Sequence, residues 1–173
     1  MRRPLVLFAT LFLLWVLVAQ ANHELSGFRV TLFLGGLFTV FAAIWLPRTE
    51  GLLTVFASGL LFDVGTPVWF GCHALLFSLA HTVIHHFRKR MPRDEAWVSV
   101  VVALLANLGI FLGVSFSAFH DLPAPTNVWP RLLTDLLLSQ IVLALIAPWF
   151  FALQLKAFEI TRVVLPAEEH SVR

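Results

Sequence analysis

Charged residues, cysteine and tyrosine are all scarce in this chain of 173 residues. Only 13% of the residues are charged and 59% are hydrophobic, and the mean hydropathy is +0.87. That balance excludes an ordinary soluble domain. Tyrosine is absent, and the single cysteine, Cys72, excludes an intramolecular disulfide. The composition predicts an all-α integral membrane protein that forms a single transmembrane domain over residues 1–173.

The sequence also lacks the common catalytic patterns. Ser58 and Gly59 do not complete a Gly-x-Ser-x-Gly elbow, the pair His23 and Glu24 has no second histidine four positions on, and no P-loop occurs. We considered a membrane aspartyl peptidase that resembles lipoprotein signal peptidase, in which two outer carboxylates share a proton. Its candidates are Asp63, Asp121 and Asp135, but the asparagine-containing motifs of that family are missing. We therefore predict no catalytic residues, no cofactor and no enzyme.

Six apolar stretches are long enough, or nearly so, to cross a bilayer, and each is expected to be helical because backbone groups find no water there. They cover residues 4–21, 28–46, 51–64, 66–87, 96–119 and 131–155, followed by a cytoplasmic tail over 156–173.

The distribution of lysine and arginine predicts the orientation. With both termini in the cytoplasm, only Arg29 and Arg131 of the 12 basic residues lie outside. The basic run 88–93 is then a topology determinant that contacts anionic lipid headgroups, and we expect no nucleic-acid binding. Residues 1–21 also have the pattern of a cleavable signal peptide, but we expect them to be retained as the first helix.

Asp63 is the most informative polar residue, because it follows an apolar helix and precedes a Gly/Pro break. Ionisable groups at membrane depth need a partner, a cavity or the interface. Two readings stay open: Asp63 caps the next helix, or its carboxylate organises the outer loop, a partner or a ligand.

The other polar residues of the spans have simpler readings. Asp135 is expected to compensate the dipole of the last helix beside Arg131, and Asn107 and Gln140 to hydrogen-bond between helices. His81 and His85 share a helix face, but no further ligand stands at a spacing that would complete a metal site. Metal binding is therefore not predicted.

Small residues predict where helices meet. Gly109 and Gly113 form a small-xxx-small pair in the fifth span, and Gly35 and Gly36 lie in the middle of the second. Pro148 is expected to kink the last helix.

The run from Gly59 to Leu76 resembles the rod shape-determining protein MreD family. It contains Gly-Leu-Leu-x-Asp, a short break and Gly-x-His-Ala-Leu, and the length, the basic start, the basic loop and a proline in the last helix agree. The hairpin residues that carry the resemblance, and that we expect to be structurally critical or to meet a partner, are Gly59, Asp63, Gly65, Pro67, Gly71 and His73.

The resemblance implies a non-enzymatic scaffold in the bacterial inner membrane. Such a protein binds MreC and, through the elongation machinery, links cytoskeletal MreB to peptidoglycan synthases of the RodA glycosyltransferase and penicillin-binding-protein type. The family fold also looks like the six-helix substrate-binding component of energy-coupling-factor transporters. That likeness gives the alternative function, a membrane component that binds a vitamin, although such a site needs several converging polar groups.

Overall fold

The computed structural model describes residues 2–66, 68–90, 96–119 and 128–163. These residues form six α-helices: α1 (Arg2–Leu25), α2 (Gly35–Trp45), α3 (Arg48–Val64), α4 (Cys72–Phe87), α5 (Ala96–Phe119) and α6 (Val128–Ile160). Short 3-10 turns follow α1 (Ser26–Phe28) and α4 (Arg88–Arg90).

Successive helices run in opposite directions, so that the bundle has two ends. At one, the Asp63 end, Asn22 near the end of α1 lies against residue 32, and Trp69 before α4 bonds Ser117 near the end of α5. At the other, the Arg88 end, Arg88 after α4 donates to the carbonyl of Leu46 after α2. Side chains near the start of α1 and the end of α6 meet there too, where the hydroxyl of Thr10 bonds Gln154 Oε1 at 2.8 Å.

Helix α2 is the centre of the bundle. Residues Gly35 to Ile44 are all buried, and α3, α4, α5 and α6 all pack against them. A helix that is apolar all round is stable only when other elements enclose it. Aromatic rings fill the space between α2 and its neighbours: Phe38 packs edge-on against Phe62 of α3 at 4.8 Å between centroids, and Phe41 stacks on Phe158 of α6 at 5.7 Å.

Three segments are long and apolar enough to cross a membrane: Arg2–Phe28, Trp97–Ala118 and Trp129–Ile160. Their outward faces expose large apolar side chains, as expected where lipid rather than water covers the surface. Helix α2 is apolar but shorter, with 11 residues.

The prediction of a continuous helix over 28–46 is wrong in its first part. Residues 29–34, here called the strap, are not helical, and α2 begins only at Gly35. Non-helical backbone that is shielded from water needs hydrogen-bond partners elsewhere in the protein. Side chains of neighbouring helices bond the backbone of the strap, as described below. The fourth predicted span is likewise helical only from Cys72.

The glycines predicted to pack helices have different surroundings. A Cβ at Gly36 would collide with the carbonyl of Ala103 in α5, and one at Gly113 would lie 2.9 Å from Leu76 of α4. A Cβ at Gly35 would touch the Phe33 ring at 2.6 Å. Gly109 has nothing within 4 Å of the same position, so it makes no close helix contact. Pro148 lies inside α6, which continues through it.

Gly36→Leu should destabilise the bundle because the new side chain would have to push α5 away from α2. The expected loss is about 1–3 kcal/mol, as for overpacked cores, measured as a lower Tm in detergent. Gly109→Ala is the matched control, since its methyl group enters open space. Equal melting temperatures for Gly36→Leu and the wild type would contradict the close α2–α5 contact.

Candidate functional site

Asp63 is buried in the last turn of α3 and faces the start of α4. Its Oδ1 accepts hydrogen bonds from the backbone N–H of His73 at 2.8 Å, and its Oδ2 from those of Gly71 at 3.0 Å and Ala74 at 3.3 Å. The Nδ1 atom of His73 also lies 2.8 Å from Oδ1. The first amide groups of a helix have no partner inside the helix and carry a partial positive charge. Asp63 is therefore the cap of α4, supplied by the preceding helix.

Two glycines of the predicted hairpin make this cap possible. Gly71, the residue before α4, has φ +98°, a conformation that side chains rarely adopt. Gly59 lies one turn before Asp63, and a Cβ there would collide with Cα of Ala74 and lie 2.6 Å from its nitrogen. The absence of a side chain at Gly59 lets α3 approach α4 closely enough for the carboxylate to reach the amide groups.

The remaining predicted hairpin residues contribute less. Gly65 follows α3 with φ −101°, and the nearest atom to an added Cβ is 3.9 Å away, so its geometry does not require glycine. Pro67 lies outside the described residues.

His73 is fixed between Asp63 and an aromatic cluster. Centroid distances in this cluster, which holds the rings of Phe33, Phe62 and Phe77 around His73, run from 5.4 to 6.1 Å, and His73 is 1% exposed. Both oxygens of Asp63 already accept hydrogen bonds. These contacts orient the imidazole of His73 and join α3 to α4. The carboxylate of Asp63 is therefore engaged in structure rather than open to a substrate.

A second set of polar side chains bonds the strap at the same end of the bundle. Asn22 of α1 accepts from the N–H of Leu32 at 2.7 Å and donates to its carbonyl at 2.9 Å. From α6, Asp135 Oδ1 accepts from the N–H of Thr31 at 3.1 Å, and the Ser139 hydroxyl accepts from that of Phe33 at 2.9 Å. Three consecutive amide groups are thus satisfied by two helices, which holds the strap between them.

These contacts change the interpretation of Asp135. Its carboxylate was expected to compensate the dipole of its own helix beside Arg131, but it also bonds a distant part of the chain and is 6% exposed. The expected interhelical bonds of Asn107 and Gln140 are confirmed: Asn107 Oδ1 accepts from the N–H of Gly36, and Gln140 Nε2 donates to the carbonyl of Leu104.

Asn22 and Ser139 were not singled out from the sequence. Asn22 follows the first apolar stretch, where a polar residue normally marks the interface, and Ser139 has no local signal beyond its spacing from Asp135. The four-residue spacing puts Asp135 and Ser139 on one face of α6. This spacing was the one feature of the sequence that could have indicated that both side chains bond the same segment, the strap.

The third carboxylate considered for a peptidase, Asp121, lies outside the described residues. Asp63 and Asp135 bond different segments, the start of α4 and the strap. At the Arg88 end, His81 and His85 stack with 5.6 Å between ring centroids. Among the described residues, no group of three or more His, Cys, Asp or Glu side chains is placed to hold a metal ion.

A family model described as "rod shape-determining protein MreD" matches residues 1–157. Comparison with curated proteins and with solved structures finds no match. Asp63 and the residues that bond the strap all fall within the matched range.

Asp63→Ala should leave the first amide groups of α4 and the His73 ring without their acceptor. We expect a loss of about 3 kcal/mol, combining a lost helix cap with buried unsatisfied donors. The measurement is thermal unfolding of the purified protein in detergent. Glu159→Gln is the control, because that carboxylate is exposed and forms a surface ion pair with Lys156. Equal losses for both variants would contradict the capping role.

Asn22→Ala should lower the Tm because it removes both hydrogen bonds to Leu32 of the strap. The expected loss of stability is about 1 kcal/mol, because both hydrogen bonds are only partly buried. Gln20→Ala is the matched control two residues away, since Gln20 bonds Glu24 on the exposed face of α1 and not the strap. A Tm as high as that of the control would show that the strap does not depend on α1.

Proposed function

The chain belongs to the MreD family, whose role is in rod shape determination, and on that premise we propose that it is a non-enzymatic scaffold of the cell-elongation machinery. In this role it binds MreC in the bacterial inner membrane. Through MreC it links the MreB cytoskeleton to a RodA-type glycosyltransferase and a penicillin-binding protein. The proposal of a non-enzymatic role rests on the surroundings of Asp63. Its carboxylate makes four hydrogen bonds inside the protein and is therefore engaged in structure rather than open to a substrate.

The proposed topology is six spans with both termini in the cytoplasm. The Arg88 end holds most of the basic residues of the described chain, namely Arg2, Arg3, Arg48, Arg88, Lys89, Arg90, Lys156 and Arg162, whereas Arg29 and Arg131 lie at the Asp63 end. Such an asymmetry supports a cytoplasmic Arg88 end. Helix α2 alone is only about 16 Å long, but the six residues of the strap add up to ~20 Å, enough together for the ~30 Å core.

We propose that the transmembrane helix of MreC packs along an apolar stripe on α6. The stripe consists of exposed residues at four-residue spacing: Leu133, Leu137, Ile141, Leu145, Trp149 and Leu153. Residues four apart form a continuous ridge on a helix, the surface used in helix packing. From first to last the stripe covers about 30 Å, the thickness of the hydrocarbon core.

The proposed stripe consists of large side chains, because most of the small residues predicted to mark helix contacts are used inside the chain. Gly35, Gly36 and Gly113 face neighbours within the chain. They are therefore not available to a partner helix, and a ridge of larger apolar side chains takes their place in the proposal.

The proposal predicts that photo-crosslinking residues at Leu137 and Leu145 capture MreC in living cells. Positions Leu53 of α3 and Leu79 of α4 are matched controls, because they are also apolar and 68% and 57% exposed. Crosslinks from α6 alone are the expected result. Equal capture from all four positions, or none from α6, would contradict the assigned face.

A second measurement tests the scaffold itself. The tagged protein is purified from its own membranes, and co-purified proteins and small molecules are identified by mass spectrometry. MreC and cell-wall synthases are expected, and Asp63→Ala is expected to weaken assembly and rod shape while insertion stays intact. Recovery of two ATPases, a coupling membrane subunit and a vitamin would instead identify a transporter component.

A further inference from the structure

An apolar groove of about 390 Å³ separates α4 from α5. Its walls include Leu79, Val83 and Phe87 from α4, and Leu105, Ala106 and Gly109 from α5. Gly109 forms an open part of the wall, since nothing lies within 4 Å of the position of a Cβ there. The groove is a separate feature from the Asp63 and strap contacts, which lie at the other end of the bundle.

The groove is closed toward the Asp63 end and continues to the Arg88 end. On the side toward the Asp63 end, the Leu76 side chain packs on Gly113, and Trp69 bonds Ser117 at 2.6 Å. These two contacts hold α4 and α5 together. From Leu76 to Phe87 the lining of α4 spans about 16 Å. That length matches one leaflet of the ~30 Å hydrocarbon core and is half of what a transmembrane helix needs.

Basic residues stand at the end of the groove. Phe87 is the last lining residue of α4, and the turn Arg88–Arg90 follows it directly. Arg88 is anchored by its bond to the carbonyl of Leu46, and Arg90 is exposed. A positive charge at this depth attracts anionic lipid headgroups.

We propose that the α4–α5 groove is a binding site for an anionic phospholipid. One acyl chain lies in the groove against Gly109, and the phosphate of the headgroup lies beside the basic turn. The length of the groove fits a chain that enters from one leaflet, and the charge at its end selects the headgroup. The site needs neither MreC nor the elongation machinery, so its test is separate from that of the scaffold.

The test is native mass spectrometry of the full-length purified protein with two lipids of identical acyl chains, palmitoyl-oleoyl phosphatidylglycerol and the corresponding phosphatidylcholine. The wild type should bind phosphatidylglycerol more tightly. Arg90→Gln should lower that affinity about fivefold, the equivalent of ~1 kcal/mol per basic residue near a headgroup, and leave phosphatidylcholine unchanged. Arg131→Gln, a neutralisation at the Asp63 end, should change neither affinity.

A second variant tests the acyl chain. Gly109→Leu places an apolar side chain in the groove, and nothing lies within 4 Å of its Cβ position. The Tm should therefore not fall below the wild-type value, while both lipids should bind at least fivefold more weakly. Gly27→Leu is its control, because Gly27 also faces open space but lies outside the groove.

Three results would overturn the proposal: equal affinity of the wild type for both lipids, unchanged binding by Gly109→Leu, or equal losses in the Gly27→Leu control. Capture of MreC from Leu79 in the groove, abolished by Gly109→Leu with lipid binding unchanged, would identify a partner helix as the occupant instead.

Discussion

The structure depends on one constraint: backbone polar groups that are shielded from water need partners inside the protein. A continuous helix meets this constraint alone, but this chain interrupts its helices before α2 and before α4. At the second interruption the carboxylate of Asp63 accepts from the first amide groups of α4. At the first, Asn22, Asp135 and Ser139 bond the strap. The polar residues of the spans are therefore explained mainly by the backbone that they satisfy.

The two sets of contacts lie at the same end of the bundle and share an aromatic link. Phe33 of the strap donates its N–H to Ser139 of α6, and its ring contacts His73, which bonds Asp63. Helices α1, α3, α4 and α6 are thus connected at the Asp63 end. The opposite end has fewer such ties between α4 and α5 among the described residues, and the apolar groove lies there. Because α4 and α5 are tied together at the Asp63 end, a lipid could enter between them at the Arg88 end without disturbing the cap.

The sequence was sufficient for the features that depend on local order along the chain. The family resemblance, the helical class and the capping reading of Asp63 rested on composition and on the Gly59–Leu76 run. The strap was not predicted, because its partners come from α1 and α6, more than one hundred residues away in the case of Asp135 and Thr31. Residues 28–34 are mostly apolar, so the sequence alone predicts that the helix of the second span includes them. Gly109 and Gly113 show the same limit: equal spacing put both in one motif, yet only Gly113 meets a neighbour.

Amide hydrogen exchange of the wild-type protein in lipid nanodiscs, resolved to single residues, measures directly whether the interrupted backbone is hydrogen-bonded. The amides of Gly71, His73 and Ala74, and those of Thr31, Leu32 and Phe33, should exchange as slowly as amides within α2, because each donates a hydrogen bond to a side chain of another helix. Exchange of these amides as fast as that of the Ser26–Phe28 turn would contradict the central claim that polar side chains satisfy the interrupted backbone.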